Sequence, residues 1–203
     1  MKQWNNIQRP VILASQSPRR QEILTTMGIT FDVMPPKGVD EPSFFKGNLL
    51  EEALQSVAHA KALAVAQYNK DSLVIGSDTI VTLGGQIMGK PTSYEDALST
   101  LQKLSGKTHS VWSGVAFVVY GKIALQAVAQ TEVTFRQLER QEIESYLNLR
   151  TYQDKAGAYG IQDEAMLFVE KINGCYNNIV GFPVATTIEL FRKYHSLKGD
   201  NLE

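Results

Sequence analysis

The chain has 203 residues, 43% of them hydrophobic and 20% charged, an ordinary globular mixture that excludes disorder. Its formal net charge of -1 excludes any global attraction to nucleic acid or a membrane, so a polyanionic ligand has to be held by a local basic cluster. One cysteine, Cys175, excludes an intrachain disulfide and fits a reducing, cytoplasmic compartment.

Met1 to Pro10 reads MKQWNNIQRP, without the apolar core of a signal peptide. Val11 to Ala14 follows as a short strand of the buried type, ending at Ser15. Ser17 and Pro18 read as an N-cap and a first helical position, opening a helix to about Met27 before Gly28. Phe31 to Met34 is a second strand candidate, and Pro35 to Gly38 has loop chemistry. From Asn48 to about Tyr68 the pattern is helical, with Leu50, Leu54, Val57 and Lys61 on one stripe. Val74 to Leu83 is β-rich, and Gly84-Gly85 turns it as a hairpin into Gln86 to Met88.

Thr92-x-x-Glu95 predicts a capping box for a helix carrying Leu98, Leu101 and Leu104 and stopped by Gly106. Ser110 to Tyr120 and Ile123 to Phe135 are strands joined through Gly121 and Lys122; Val115 to Tyr120, the longest apolar run, is far too short to span a bilayer. Leu138 to Asn148 and Pro183 to Tyr194 read as the last helices. No repeat, low-complexity tract or linker interrupts the series, so residues 1–203 read as a single domain. Interleaved helices and strands with two hairpins predict an α/β fold with a mixed sheet.

Five constellations carry chemistry. Leu13-Ala14-Ser15-Gln16-Ser17-Pro18-Arg19-Arg20 runs from a strand through a polar loop into a helix N-terminus, which suits anions through the helix dipole and unsatisfied N–H donors. A capped helix with two solvated arginines has the same spacing. Asp40-Glu41 places adjacent carboxylates on a loop; they are solvated unless other acids converge on the same point. Lys61 either snorkels out at the edge of its stripe or is presented to a phosphate.

Asp78, within Gly76-Ser77-Asp78-Thr79, is the most conspicuous residue, because a carboxylate in a β-rich strand is costly to bury unless paired or metal-bound. The alternative is a structural Asp capping a neighbouring loop. Alternation sends Asp78 and Thr79 to opposite faces unless Gly76 marks a bulge. Gly89-Lys90-Pro91, across the hairpin, returns a lysine towards Asp78 in one reading. Asp154 to Gln162 carries Gly157 and Gly160, which read first as a tight loop and otherwise as a close approach to a ligand. The three histidines and the cysteine lack zinc spacing, and no Walker A loop, G-x-S-x-G elbow or G-x-G-x-x-G fingerprint is present.

Taken in order, L-A-S-Q-S-P-R-R, V-D-E, the Lys61 helix, G-S-D-T-I-V, G-K-P, L-S-G-K-T-H, T-E-V-T-F-R, D-K-A-G-A-Y-G-I-Q and I-N-G-C-Y-N-N-I-V-G-F-P resemble the Maf family of nucleoside triphosphate pyrophosphatases, from Val11 to about Phe191. Each piece alone is weak; their ordered co-occurrence is highly specific. The resemblance implies an elongated α/β fold, with a mixed twisted sheet flanked by helices and two lobes around a cleft, related to the inosine triphosphate pyrophosphatases. It implies a homodimer and a divalent cation, Mg²⁺ or Mn²⁺. It makes Asp78 the catalytic proton acceptor, gives Glu41 and Asp78 the metal, and lines the triphosphate site with Ser15, Arg20, Lys61 and Lys90.

Arg19, Thr79 and Gln162 match three selectivity positions and form the set of the dTTP/UTP branch; the 7-methyl-GTP branch carries Trp, Gln and Glu there. An amide such as Gln162 both donates and accepts, as the O4 and N3–H edge of uracil or thymine requires. Ala60 before Lys61 and Phe182 in G-F-P depart from the family's usual residues without removing a site residue. The expected activity is hydrolysis of dTTP and UTP to monophosphate and pyrophosphate, in nucleotide pool cleansing or division arrest. The alternatives are 7-methyl-GTP cleavage and a non-catalytic nucleotide-binding regulator of cell division.

Overall fold

The computed structural model describes residues 7–197; the first six residues, on which the absence of a signal peptide partly rests, lie outside them. Seven strands form one mixed sheet: β1 (Val11–Ala14), β2 (Asp32–Val33), β3 (Leu73–Leu83), β4 (Gln86–Met88), β5 (Thr108–Val119), β6 (Lys122–Phe135) and β7 (Val169–Asn173). Six α-helices accompany them: α1 (Pro18–Thr26), α2 (Leu50–Ala66), α3 (Tyr94–Leu104), α4 (Arg140–Asn148), α5 (Tyr176–Val180) and α6 (Val184–Leu197). The strand order is β2-β1-β3-β5-β6-β7, with β4 paired to β3 outside that path. β1 runs parallel to β2 and β3, whereas the β3–β4 and β6–β7 pairs are antiparallel. The expected mixed α/β sheet is the one observed.

The chain divides into two compact units, neither a continuous stretch of sequence. One takes the residues up to Asp78, Ser113–Ala129 and those from Gly181 on; the other takes Thr79–Trp112 and Gln130–Val180. In the first, all four residues of β1 are buried, as a central parallel strand covered on both faces requires. Ile12, Ala14, Val74 and Val118 pack with Ala62, Val65 and Ala66 of α2. Phe117 stacks tilted on Phe191 of α6 at 4.7 Å.

Two glycines decide how closely α2 can lie. A Cβ on Gly76 would stand 2.1 Å from the Ala58 carbonyl oxygen, and one on Gly114 would stand 2.5 Å from that of Leu54. Both distances are far inside contact, so only glycine admits the helix backbone here. The β1–β3 register runs unbroken up to Gly76, paired with Ala14, and what Gly76 serves here is the close approach of α2.

In the second unit, His109 is buried with its Nε2 2.8 Å from the Tyr159 hydroxyl and stands edge-on to Phe135 at a centroid distance of 4.8 Å. Burial pushes the imidazole down to about 4 from its ordinary value. The cap of α3 falls one residue later than the sequence predicts. Ser93, not Thr92, accepts from the Asp96 N–H at 3.1 Å, and the Asp96 carboxylate accepts from the Thr92 N–H at 2.9 Å. Both windows fit a capping box, and the start at Tyr94 is the one that buries Ala97, Leu101 and Leu104. α4 begins at Arg140 rather than Leu138, because the Glu142 carboxylate accepts from the Glu139 N–H at 2.9 Å and closes the helix there.

Two outcomes follow. Gly76→Ala forces α2 off β3 and lowers the unfolding free energy in urea titrations by about 1–3 kcal/mol, the usual cost of overpacking. His109 is neutral in the fold down to about pH 4 but takes a proton near 6.5 when unfolded, so its contribution is complete above 6.5 and is lost as pH falls towards 4. The stability advantage of the native chain over His109→Gln therefore narrows across that window in pH-dependent thermal melts.

Candidate active site

Lys61 sits on the buried stripe of α2 with Leu54, Val57, Ala58, Ala62 and Val65. A lysine on such a stripe normally carries its ammonium out to water. Here it does not: Lys61 is only 7% exposed, and its ammonium is held inside. Lys61 Nζ donates to Asp78 Oδ1 at 2.7 Å and lies 2.6 Å from Glu41 Oε1. Asp78 is 6% exposed, so the pair is desolvated, which is tolerable only because it is matched in charge and hydrogen-bonded.

The strand geometry explains the meeting. Residues two apart on a strand share a face, so Gly76 and Asp78 both look towards α2. Gly76 admits the helix beside Ala58 and Ala62, and Asp78 meets Lys61 one step further along. Glu41 arrives separately, as the first residue of a 3₁₀ turn over Glu41–Phe45 with Pro42 behind it. Its neighbour Asp40 is exposed, so only the second acid of the pair joins the cluster.

Arg20, in the first turns of α1, fills another corner. Its Nε donates to the Gly181 carbonyl at 2.9 Å, and its Nη1 donates to the Ser77 carbonyl at 2.8 Å and to Ser15 Oγ at 3.2 Å. The planar fork thus ties the end of β1, the residue before Asp78 and the entry to α6. Burial pulls the Arg20 guanidinium below its ordinary pKa, and the charges of Asp78 and Glu41 oppose that pull. Ser15 Oγ also accepts from the Ser17 N–H at 3.1 Å, so the Ser15 hydroxyl, rather than the Ser17 side chain, organises the start of α1.

The remaining expected residues are divided between the two units. Arg19 is partly buried beside Arg20. Thr79, Lys90 and Gln162 belong to the second unit, where Thr79 is partly buried and the other two are exposed. Within that unit the Gly157 N–H donates to the Gly89 carbonyl at 3.1 Å, which ties the segment of Lys90 to the loop leading to Gln162. Gln162 rides a turn braced by the Tyr146 hydroxyl, which accepts from the Gly160 N–H at 3.2 Å, and by Asp163, 3.7 Å from Lys155 Nζ. Gly157 has φ of 70° and lies against Val81, so this segment is the tight loop of the two readings.

The carbonyls of Ser77 and Gly181 were not readable as site atoms, since backbone acceptors leave no mark in side-chain chemistry. The G-F-P motif was the available signal for Gly181. The donor set fits a Mg²⁺ or Mn²⁺ ion in one way. Glu41 and Asp78, from separate elements, each place an oxygen on the Lys61 ammonium, and such ions are held by one or two carboxylates plus substrate phosphates rather than by an all-protein cage. Among the described residues, no group of three or more His, Cys, Asp or Glu side chains is placed to hold an ion.

A family profile described as Maf-like protein matches residues 10–194. The chain belongs to the Maf family. A Bacillus cereus (strain Q1) relative named dTTP/UTP pyrophosphatase is 39% identical over 187 residues, covering 92% of this chain and 96% of its own. A Desulforamulus reducens relative of the same name is 41% identical over 191 residues, covering 92% and 97%. Among solved structures, a HAM1 protein from Coxiella burnetii aligns with 91% of this chain and 99% of that one, at 14% identity and a TM-score of 0.48. No helix among the described residues is long and apolar enough to cross a membrane.

Arg20→Met removes the guanidinium bonds to the Ser77 and Gly181 carbonyls, and urea unfolding registers a loss of about 2–4 kcal/mol for these charge-assisted hydrogen bonds. Arg20→Lys, with one ammonium in place of the fork, restores only part of it.

Proposed function

We propose that this Maf-family chain hydrolyses dTTP and UTP between the α and β phosphates, releasing monophosphate and pyrophosphate. The observation that carries the proposal is the buried Asp78–Lys61 pair, joined by half-exposed Glu41, beside the Ser15–Arg20 segment. Relatives named dTTP/UTP pyrophosphatase that align with nearly the whole chain support the substrate class.

In this reading Asp78 accepts a proton from the attacking water. Supporting that role is its burial, and without nucleotide the Lys61 ammonium, 2.7 Å from one carboxylate oxygen, keeps the side chain ionised and in place. Ser15 and the first turn of α1 offer donors to phosphate oxygens. Arg20 keeps that loop and the Ser77–Asp78 backbone in register while adding positive charge. Lys61 and Lys90 balance charge on the phosphates. Glu41 and Asp78 would hold the Mg²⁺ or Mn²⁺ ion, which when bound supplies neutralisation of phosphate charge.

Arg19, Thr79 and Gln162 set the base preference, with the Gln162 amide donating to O4 and accepting from N3–H of a uracil or thymine. A cytoplasmic homodimer is proposed on the resemblance and tested by light scattering, which is expected to give twice the 22.5 kDa of one chain.

The test is pyrophosphate release from dTTP, UTP, CTP, GTP and 7-methyl-GTP with Mg²⁺ or Mn²⁺. The expected result is turnover of dTTP and UTP that falls by roughly 10²-fold or more in Asp78→Asn, the usual size of a general-base effect. Gln162→Glu is expected to weaken dTTP and UTP selectively, because a carboxylate cannot donate to O4. Near-native turnover in Asp78→Asn contradicts the mechanism, and cleavage of 7-methyl-GTP alone contradicts the base preference.

A further inference from the structure

We propose that Lys61 is a built-in stand-in cation, so that a divalent ion joins Glu41 and Asp78 only in the company of a triphosphate. The nucleotide half of this proposal rests on the pyrophosphatase reading; the metal half is independent of it.

Lys61 Nζ lies 2.6 Å from Glu41 Oε1 and 2.7 Å from Asp78 Oδ1, so one ammonium takes an oxygen from each of the two carboxylates that fit a metal. Its stem is fixed in the apolar stripe of α2 and the residue is 7% exposed, with half-exposed Glu41 as its other partner. Arg20 donates to the carbonyl of Ser77, the residue before Asp78, and the charges of Asp78, Glu41 and Arg19 all act on it, so the two carboxylates already stand among several cations.

Lys61 and Asp78 are nearly out of solvent and Glu41 is half-exposed, with Arg19 and Arg20 adding positive charge nearby, so a divalent ion added there without an anion leaves uncompensated positive charge, which is expensive away from water. A triphosphate supplies the missing negative charge and gives Lys61 oxygen acceptors to replace the carboxylate it yields. Metal and triphosphate therefore each raise the affinity for the other, as thermodynamic linkage requires. Lys61 is in this account more than a phosphate ligand: it keeps the nucleotide-free site from filling with metal.

The experiment uses the full chain, Mn²⁺ titrations followed by electron paramagnetic resonance of the free ion, and thermal melts. Wild type is titrated with MnCl₂ alone and with α,β-imido-UTP, whose bridge resists cleavage, and the Mn²⁺ that the analogue itself chelates is measured in a protein-free titration and subtracted. Lys61→Met is titrated with MnCl₂ alone. Expected are no saturable Mn²⁺ binding to wild type without nucleotide, and at least ~10-fold tighter binding with the analogue, within the usual range of site-to-site coupling. Lys61→Met is expected to bind Mn²⁺ without nucleotide and to melt higher when it does, while Mn²⁺ alone leaves the wild-type melt unmoved.

Saturable Mn²⁺ binding to wild type that is equal with and without the analogue overturns the proposal and leaves the pyrophosphatase reading standing. A folded Lys61→Met that gains no Mn²⁺ site overturns it as well. Failure of the analogue to bind at all, with Mn²⁺ gained by Lys61→Met, overturns the nucleotide half and the pyrophosphatase reading together. If Lys61→Met does not fold, the paired wild-type titrations decide alone.

Discussion

One ammonium shared between two carboxylates is the interaction on which the site depends. Lys61 bonds Asp78 and Glu41 at hydrogen-bonding distance with both Lys61 and Asp78 nearly out of solvent. Ions in that setting are stable only as a matched set, because removing one partner strands the other. The rest of the first unit can be understood as the scaffold that keeps the set matched. Gly76 and Gly114 let α2 approach the sheet at backbone contact, and Arg20 ties the residue before Asp78 to β1 and to the entry of α6.

The same arrangement links stability to chemistry. Glycine at position 76 cannot be read as a flexible spot in the strand; it sets the distance between the helix that brings the cation and the strand that brings the acid. Arg20 spends three donors on the protein itself, so much of its contribution is to hold Ser15 and the Ser77–Asp78 backbone in place. A guanidinium is suited to this because its fork is rigid and its hydrogen bonds point in fixed directions.

Much of this was legible in the residues, and the exceptions have physical causes. β1 was readable to the residue because four apolar side chains ended abruptly at Ser15. The first helices and the two long strands were readable because Pro, Gly and apolar periodicity agreed with one another. β7 was missed: Val169–Asn173 is an edge strand of mostly exposed, polar residues with no alternation to detect. α5 was missed because Tyr176–Val180 spans little more than one turn, too short for a period to register. Asp78 was visible as a charge in an apolar strand, but its partner was not. Lys61 was equally consistent with snorkelling, and only tertiary contact distinguishes an inward ammonium from an outward one. Nothing local separated Asp40 from Glu41 either; the turn that follows Glu41 makes the choice.

Cleavage between the α and β phosphates with pyrophosphate as the leaving group requires water to attack the α-phosphorus, which is the central claim. Hydrolysis of UTP in H₂¹⁸O, with ³¹P NMR of both products, tests it most directly. The account predicts the heavy oxygen in UMP and none in pyrophosphate. Label in pyrophosphate, or products of UDP and orthophosphate, would contradict it.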